Sequence, residues 1–453
     1  MPTSVAEKHR SSVWAASNKL AKELEHALRA VLSAWFPRCV DTENGGFRCD
    51  FNHRWKPCGP QLKMLEYQAR VTRTAARVAM MPGFENYREI ADHGFRYLKD
   101  TMWDHEYGGW FRLLDATGTA LESGSKHTHG ASYALGACTA YYKLSADSDA
   151  LNLAKQAFAW LDSAAHDPEH GGYFGLCQRN GKPILTVDQN PRTGPRDYLG
   201  TPVGLKDANT NGDLLEAVAD LSQVFSDALV EKRVHEMFYI VRDRMFVPPG
   251  ALHIYFQPDW TPIPDATRYG EAVSKSNILA KVSPKLGLDS DPKTQDVIKS
   301  IIDTLLRYAW DYAKGGFFCA GPTFGPEYLD HARVFVAAKP WWPQAEGLKA
   351  LLRMAMFYPD DETNYLRRFE ELWAYIKKYV IDSHWGGWRW IGRDRAGFWR
   401  WLRGDCTSFR KLPKADIWKD LSHEVESLLY CVRLLKSGSP DFVSAAAPSL
   451  ASR

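Results

Sequence analysis

Asp41-Thr42-Glu43-Asn44-Gly45-Gly46-Phe47 is the first of five stretches that share one pattern: Asp, three residues, Gly-Gly, then an aromatic. The others run Asp104–Trp110, Asp167–Tyr173, Asp311–Phe317 and Asp382–Trp388. Their starts lie 63, 63, 144 and 71 residues apart, and the 144-residue interval is about twice the unit. A degenerate sixth copy is therefore expected near Pro248–Tyr255, with its hairpin over roughly Arg244–Tyr255. Asp suits a turn or helix end, and paired glycines supply the positive φ that a Cβ resists. Six units of about 65 residues are the mark of a stacked or closed repeat architecture.

Between the copies the apolar period is helical. Leu20, Leu24, Leu28, Val31, Leu32 and Trp35 keep the i, i+3, i+4, i+7 rule. So do Leu214, Leu215, Val218, Leu221 and Val224, and again Leu348, Leu351, Leu352, Ala355 and Met356. Each unit reads as two helices with a short Gly-Gly turn or hairpin. Six helix pairs either close into an all-α (α/α)6 barrel with inner helices around a central cavity, or run on as an open solenoid. Residues 1–436 are read as one barrel domain. The stretch 437–453, small and polar, is read as a disordered tail.

Composition narrows the function classes. The 453 residues are 45% apolar and 25% charged, an ordinary balance for a folded protein. Lys and Arg (57) nearly offset Asp and Glu (54), so no basic excess calls for nucleic acid. Seventeen Trp residues supply a large core and also flat faces on which sugar rings stack. The eight cysteines form no C-x-x-C pair, and a chain of this size needs no disulfides, which points to reduced thiols in the cytoplasm. The first residues carry no apolar signal segment, and no run approaches the length of a membrane span. A homodimer is the default assembly for a soluble enzyme of this kind.

Polar clusters stand at the unit boundaries. They are Gln68-Ala69-Arg70, Lys206–Thr210 with Asp213 and Glu216 beyond it, Arg268–Glu271 followed by Ser274, Lys339–Glu346, and Trp418–Glu424. Any one alone reads as a cap or a solvated turn. Together and in order they resemble the N-acylglucosamine 2-epimerase superfamily, which includes cellobiose 2-epimerases and mannose isomerases. The run Lys339-Pro-Trp-Trp-Pro-Gln-Ala-Glu346 resembles that family's K-x-W-W-x-Q-A-E signature. The Gln68–Arg70, Asn209–Ala217, Tyr269–Glu271 and Trp418–His423 segments extend the likeness over most of the chain.

The resemblance implies an (α/α)6 barrel, an aldose in its central pocket, and proton abstraction from C2 through an enediolate. His423 then matches a family histidine. Trp418 matches an aromatic platform, Trp341 and Trp342 match paired indoles, and Arg70, Asn209 and Glu346 match polar pocket positions. Arg70 is the fixed cation expected near the C1 or C2 oxygen. Inverting C2 needs one proton carrier on each face of the sugar, whereas aldose–ketose isomerisation needs only one. No metal or organic cofactor is expected if a protein cation polarises the oxygen.

This chain departs from the family pattern where the chemistry is decided. Glu271 stands where a histidine follows Tyr-Gly, with Ser274 in place of the later acid. Asn211 and Asp213 replace the two histidines of the N-T-H-x-H run. Glu271 is the expected second acid/base, opposite His423 across the cavity, and Asp213 joins the substrate-binding set. Two alternatives stay open: a carboxylate-driven glycoside hydrolase or lyase using Glu271, Asp213 and Glu346 on the same barrel, and a non-catalytic sugar-binding regulator.

Overall fold

The computed structural model describes residues 5–185, 194–197, 200, 202–263, 267–321, 338–394 and 412–437. Twelve α-helices run along these residues: α1 (Val5–Trp35), α2 (Leu65–Ala79), α3 (Arg88–Tyr97), α4 (Thr128–Ser145), α5 (Ser148–Ala164), α6 (Ala208–Leu221), α7 (Ala228–Tyr239), α8 (Tyr269–Val282), α9 (Pro292–Tyr308), α10 (Trp341–Phe357), α11 (Tyr365–Tyr375) and α12 (Ser422–Ser437). The even-numbered helices pack in order, α2 on α4 and so on to α12, and α12 closes back onto α2. Each odd-numbered helix packs outside one of them, with α1 against α12. The repeat is a closed (α/α)6 barrel, not an open solenoid.

Burial separates the two rings. In α2 and α4 nearly every residue is buried, charged ones included. The outer α9 buries only the stripe Val297, Ile298, Ile301, Ile302, Leu305 and Leu306, the spacing of a one-sided helix. The residues expected to form helical stripes behave accordingly: Leu24, Leu28, Val31, Leu32 and Trp35 are buried, as are Leu214, Leu215, Val218 and Leu221.

The Gly-Gly motif is a clasp. In the first copy the Asp41 N–H donates to the Gly46 carbonyl (2.9 Å) and the Gly45 N–H donates to the Asp41 carbonyl (3.0 Å). Asp41 Oδ1 accepts the N–H groups of Glu43 and Asn44. Both glycines have positive φ, +80° and +62°, and a Cβ on Gly46 would strike the Tyr97 ring and the Gln68 amide. The free oxygen, Oδ2, takes the ammonium of buried Lys63 at 2.7 Å, and the same Nζ donates to the Gly45 carbonyl at 2.9 Å.

This lysine recurs, and the five-fold pattern in the sequence reading had not included it. Lys126 pairs with Asp104 (3.1 Å), Lys206 with Asp167 (2.6 Å), Lys339 with Asp311 (2.6 Å) and Lys414 with Asp382 (2.7 Å), all five lysines buried. Four of them stand two residues before an inner helix, so the clasp sets where that helix begins. The expected sixth hairpin is present: Phe246–Val247 pairs with Ala251–Leu252 across Pro248-Pro249-Gly250. There Val247 occupies the Asp position, and Thr267, two residues before α8, the Lys position.

The seven described cysteines form no disulfide with one another. No described helix is long and apolar enough to cross a membrane. The expected tail lies outside the described residues apart from Ser437, which ends α12.

Candidate functional site

With helix starts fixed by the clasps, the residues three and seven positions after each lysine share one face of the first two turns. These are Glu66 and Arg70 on α2, His129 and Tyr133 on α4, Asn209 and Asp213 on α6, and Trp342 and Glu346 on α10. Their contacts run around the inside of the ring. The Arg70 guanidinium lies over the Tyr133 ring at 4.1 Å. The Tyr133 hydroxyl donates to Asp213 Oδ2 at 2.7 Å, and His129 Nε2 stands 3.0 Å from the same oxygen. Lys275 of α8 donates to Asp213 Oδ1 at 2.7 Å and lies 3.9 Å from Glu271.

The other wall is built by α10 and α12. His423 Nδ1 stands 2.9 Å from Glu346 Oε1, while Lys349 and Asn277 hold Glu346 Oε2 at 2.6 Å and 2.9 Å. Trp342 lies tilted against the His423 ring, with centroids 5.6 Å apart. Its far edge occupies the place a Cβ on Gly270 would fill, so one indole reaches both the His423 side and the start of α8 that carries Glu271. Deeper in the barrel, Arg73 and Arg77 of α2 meet Glu216 and Asp220 of α6 and Glu426 of α12, and Lys281 of α8 joins from the fourth side. This charged layer spans the ring, and Gly136 of α4 leaves room for the Arg73 side chain.

The electrostatics divide the groups. Burial alone raises a carboxyl, yet Lys349 and His423 hold Glu346 down at about 2. It is therefore an ionised acceptor, and the contact with it places an N–H on His423 Nδ1. Asp213 is likewise held well below the usual carboxylate range, against its burial, by Lys275 and His129. Burial works against a charged His129, but Asp213 and Glu66 raise it to about 9. Glu424, beside His423 in sequence, is pushed up by burial although Trp35 Nε1 donates to it at 3.0 Å.

Four buried polar atoms accept or donate no hydrogen bond among the described residues: Arg70 Nε, Asn209 Oδ1, Glu66 Oε2 and Asp420 Oδ2, the last lying 3.6 Å from the Arg70 guanidinium. A buried polar atom without a hydrogen bond is costly, so a set of them around one lumen marks where a polar ligand binds. Glu66, His127 and His129 also have ligand atoms within 4.8 Å of one another, a spacing that suits a metal ion. The charge around them suits it less. His127 already holds Glu66 at 2.8 Å, its own basicity is lowered by burial and by the nearby Arg112 guanidinium, and Lys275 adds a second fixed cation on Asp213.

Two of the sequence expectations are corrected. Trp341 is core and not a platform: it is 2% exposed, edge-on to Trp390 at 4.3 Å, and covered by the Lys419 ammonium. Only its neighbour Trp342 touches His423 closely. Asn211, where the resemblance has a pocket histidine, is fully buried and serves a turn instead of the pocket. Its amide accepts the Tyr173 N–H (2.7 Å) and donates to the Tyr173 carbonyl (3.1 Å), clamping the third turn. Gln68 clamps Phe47 in the same way, and Gln344 clamps Phe317. Trp418 is half-buried just ahead of α12, packed on the core with its N–H held by Asp416. Arg70 lies 3.6 Å from Asp420, two residues before α12. The sequence reading missed Glu66, His129, Tyr133 and Lys275. The Lys-plus-three and Lys-plus-seven register would have found the first three.

The family model described as N-acylglucosamine 2-epimerase matches residues 45–180 and 201–396. The chain is 25% identical over 395 residues to a cellobiose 2-epimerase of Bacteroides fragilis, covering 84% of this chain and 95% of the relative. It is 23% identical over 352 residues to a D-mannose isomerase of Thermobifida fusca, covering 74% and 76%. The solved cellobiose 2-epimerase of Spirochaeta thermophila superposes with a TM-score of 0.78 at 22% identity, covering 93% of this chain and 98% of that one.

Proposed function

Because the chain belongs to the N-acylglucosamine 2-epimerase family, we propose that it is a carbohydrate epimerase or isomerase acting at C2 of an aldose, by proton transfer through an enediolate. The observation that carries the proposal is the His423–Glu346 pair. An ionised Glu346 keeps the proton on Nδ1 and presents Nε2 as a base, flanked by the Trp342 face on which a sugar ring can stack. His423 removes the C2 proton, and the electron pair passes into a C1–C2 double bond as charge develops on the C1 oxygen. Arg70, buried and with Nε unpartnered, is the cation for that oxygen. Glu271, at the first turn of α8 beyond Trp342, serves the opposite face of C2. The substrate is a free mono- or disaccharide, handled by residues 1–436 as one domain. Seven described cysteines that form no disulfide with one another fit a reducing compartment such as the cytoplasm.

The hydrolase alternative is the weaker reading. Cleaving a glycoside needs one carboxyl that keeps its proton for the leaving group. Asp213 and Glu346 are each tied to a lysine and a histidine that hold them ionised, which leaves Glu271 as the one carboxyl of that set to serve as the acid.

The test is a panel of free aldoses in deuterated water. Deuterium at C2 of recovered aldose, with an epimer or ketose as product, is the expected result. His423→Asn and Glu271→Gln should each lower turnover by about 10²–10⁴ with sugar binding largely kept. Release of reducing ends from glycosides without C2 exchange would return the hydrolase reading.

A further inference from the structure

His129 is the histidine that neither the family signature nor the motif reading picked out. It is 8% exposed on the first turn of α4, and both ring nitrogens face carboxylates. Nε2 stands 3.0 Å from Asp213 Oδ2, and Nδ1 stands 3.7 Å from Glu66 Oε1. A neutral imidazole has one N–H and leaves one nitrogen facing a carboxylate lone pair to lone pair. The surroundings therefore select the imidazolium. The two contacts are unequal. The Asp213 contact is a full hydrogen bond, whereas 3.7 Å is longer than one, and the other Glu66 oxygen, Oε2, is buried without a partner. An N–H too far from Glu66 for a full hydrogen bond, beside a carboxylate oxygen with no hydrogen bond among the described residues, fits one chemical group in particular, a hydroxyl, which accepts from the first and donates to the second.

Resting on the function proposed above, we propose that His129, held cationic by Asp213 and Glu66, binds a sugar oxygen and is the acid that protonates the C1 oxygen as His423 removes the C2 proton. The Arg70 guanidinium lies over one side of the Tyr133 ring, and His129 packs edge-on against the same ring at 5.2 Å, so the two cations are neighbours on the α2–α4 wall. The His423–Glu346 pair belongs to the α10–α12 wall, which adjoins α2 where α12 closes the ring. In the forward step the C2–H pair becomes the C1–C2 double bond and the C1=O π pair moves onto oxygen. That oxygen takes the Nδ1 proton of His129, leaving a neutral imidazole and a neutral enediol. For an epimer, return of a proton to C2 with the C1 oxygen giving its proton back to His129 restores both groups; for a ketose, the proton goes to C1 and the C2 hydroxyl gives up its proton while the C1 hydroxyl keeps the one it took. Asp213, with Tyr133 and Lys275 also bonded to it, stays ionised throughout and acts as a positioning residue.

The variants are His129→Gln and His129→Asn, compared with His423→Asn in the full-length protein on the sugar that the panel identifies. Removal of one such donor lowers kcat by about 10²–10³, and KM should move by less than about tenfold. C2 deuterium exchange should fall in parallel with kcat. The wild-type kcat profile should decline as pH rises through about 9, where His129 loses its proton, and that limb should be absent in His129→Gln. Calorimetric binding of the sugar to His129→Asn shows whether the pocket persists if His129→Gln folds poorly. If both variants keep kcat within about twofold while His423→Asn abolishes exchange, this role is refuted and the C2 reading stands. If the wild-type protein exchanges no sugar at C2, both fall. One equivalent of zinc or manganese in the purified protein, lost in Glu66→Gln, also overturns the proposal, because the positive charge held there is then a metal and not a proton.

Discussion

Replacing Lys63 by Met removes a cation that is completely buried and makes three bonds: to Asp41 Oδ2 at 2.7 Å, to the Gly45 carbonyl at 2.9 Å and to the Phe47 carbonyl at 3.3 Å. Asp41, 2% exposed, would be left with only the partly exposed Arg48 guanidinium, 3.3 Å from Oδ1, as counter-ion. Removing one partner of a buried pair costs about 3–5 kcal/mol. Unfolding entropy near 60 °C is about 2.1 cal/mol/K per residue, so 453 residues melting as one cooperative unit give about 1 kcal/mol/K. Lys63→Met should then lower Tm by about 3–5 °C in differential scanning calorimetry. Lys99→Met removes a half-exposed pair with Asp149 and should shift it by less than about 1 °C. Adding Asp41→Asn to Lys63→Met removes the stranded charge, and the Asn oxygen still accepts the Glu43 and Asn44 N–H groups. The double variant should therefore melt above the single one, by about 2 °C or more. A Lys63→Met protein that melts within 1 °C of wild type would refute the clasp as the element that fixes the helix start. So would a double variant that melts lower than the single.

Gly270→Ala places a Cβ against the Trp342 ring and should push that indole away from His423. Turnover should drop about 10²-fold with Tm little changed, measured alongside intrinsic fluorescence. Glu346 has its carboxyl lowered to about 2 in the folded chain against an ordinary 4.5, so it contributes stability that is present above pH 4.5 and lost as pH falls toward 2. Glu346→Gln should flatten that part of the Tm–pH curve, and an unchanged acid limb would contradict the assignment.

The sequence by itself determined the six helix-pair units, and the packing of α12 on α2 closed them into a barrel. Asp-x-x-x-Gly-Gly is a local turn whose hydrogen bonds lie within seven residues, and amphipathic helices declare themselves within a few turns, so six units could be counted, including the hairpin at Phe246–Leu252 that has lost its Asp. The resemblance also named Arg70, Glu346 and His423, because it carries residues in register. Which face each residue takes was decided by tertiary structure alone. Successive residues of a helix point about 100° apart, so Trp341 enters the core while Trp342 meets His423, and Asn211 clamps a turn while Asp213, two places on, meets Lys275. That rotation is set where each helix starts, by a lysine 22 to 39 residues from its aspartate in the four clasps that immediately precede an inner helix. It also decides the charge on His129. Nothing local to Lys126–Tyr133 says that two carboxylates from other helices will face that ring, and only their convergence makes it a cation.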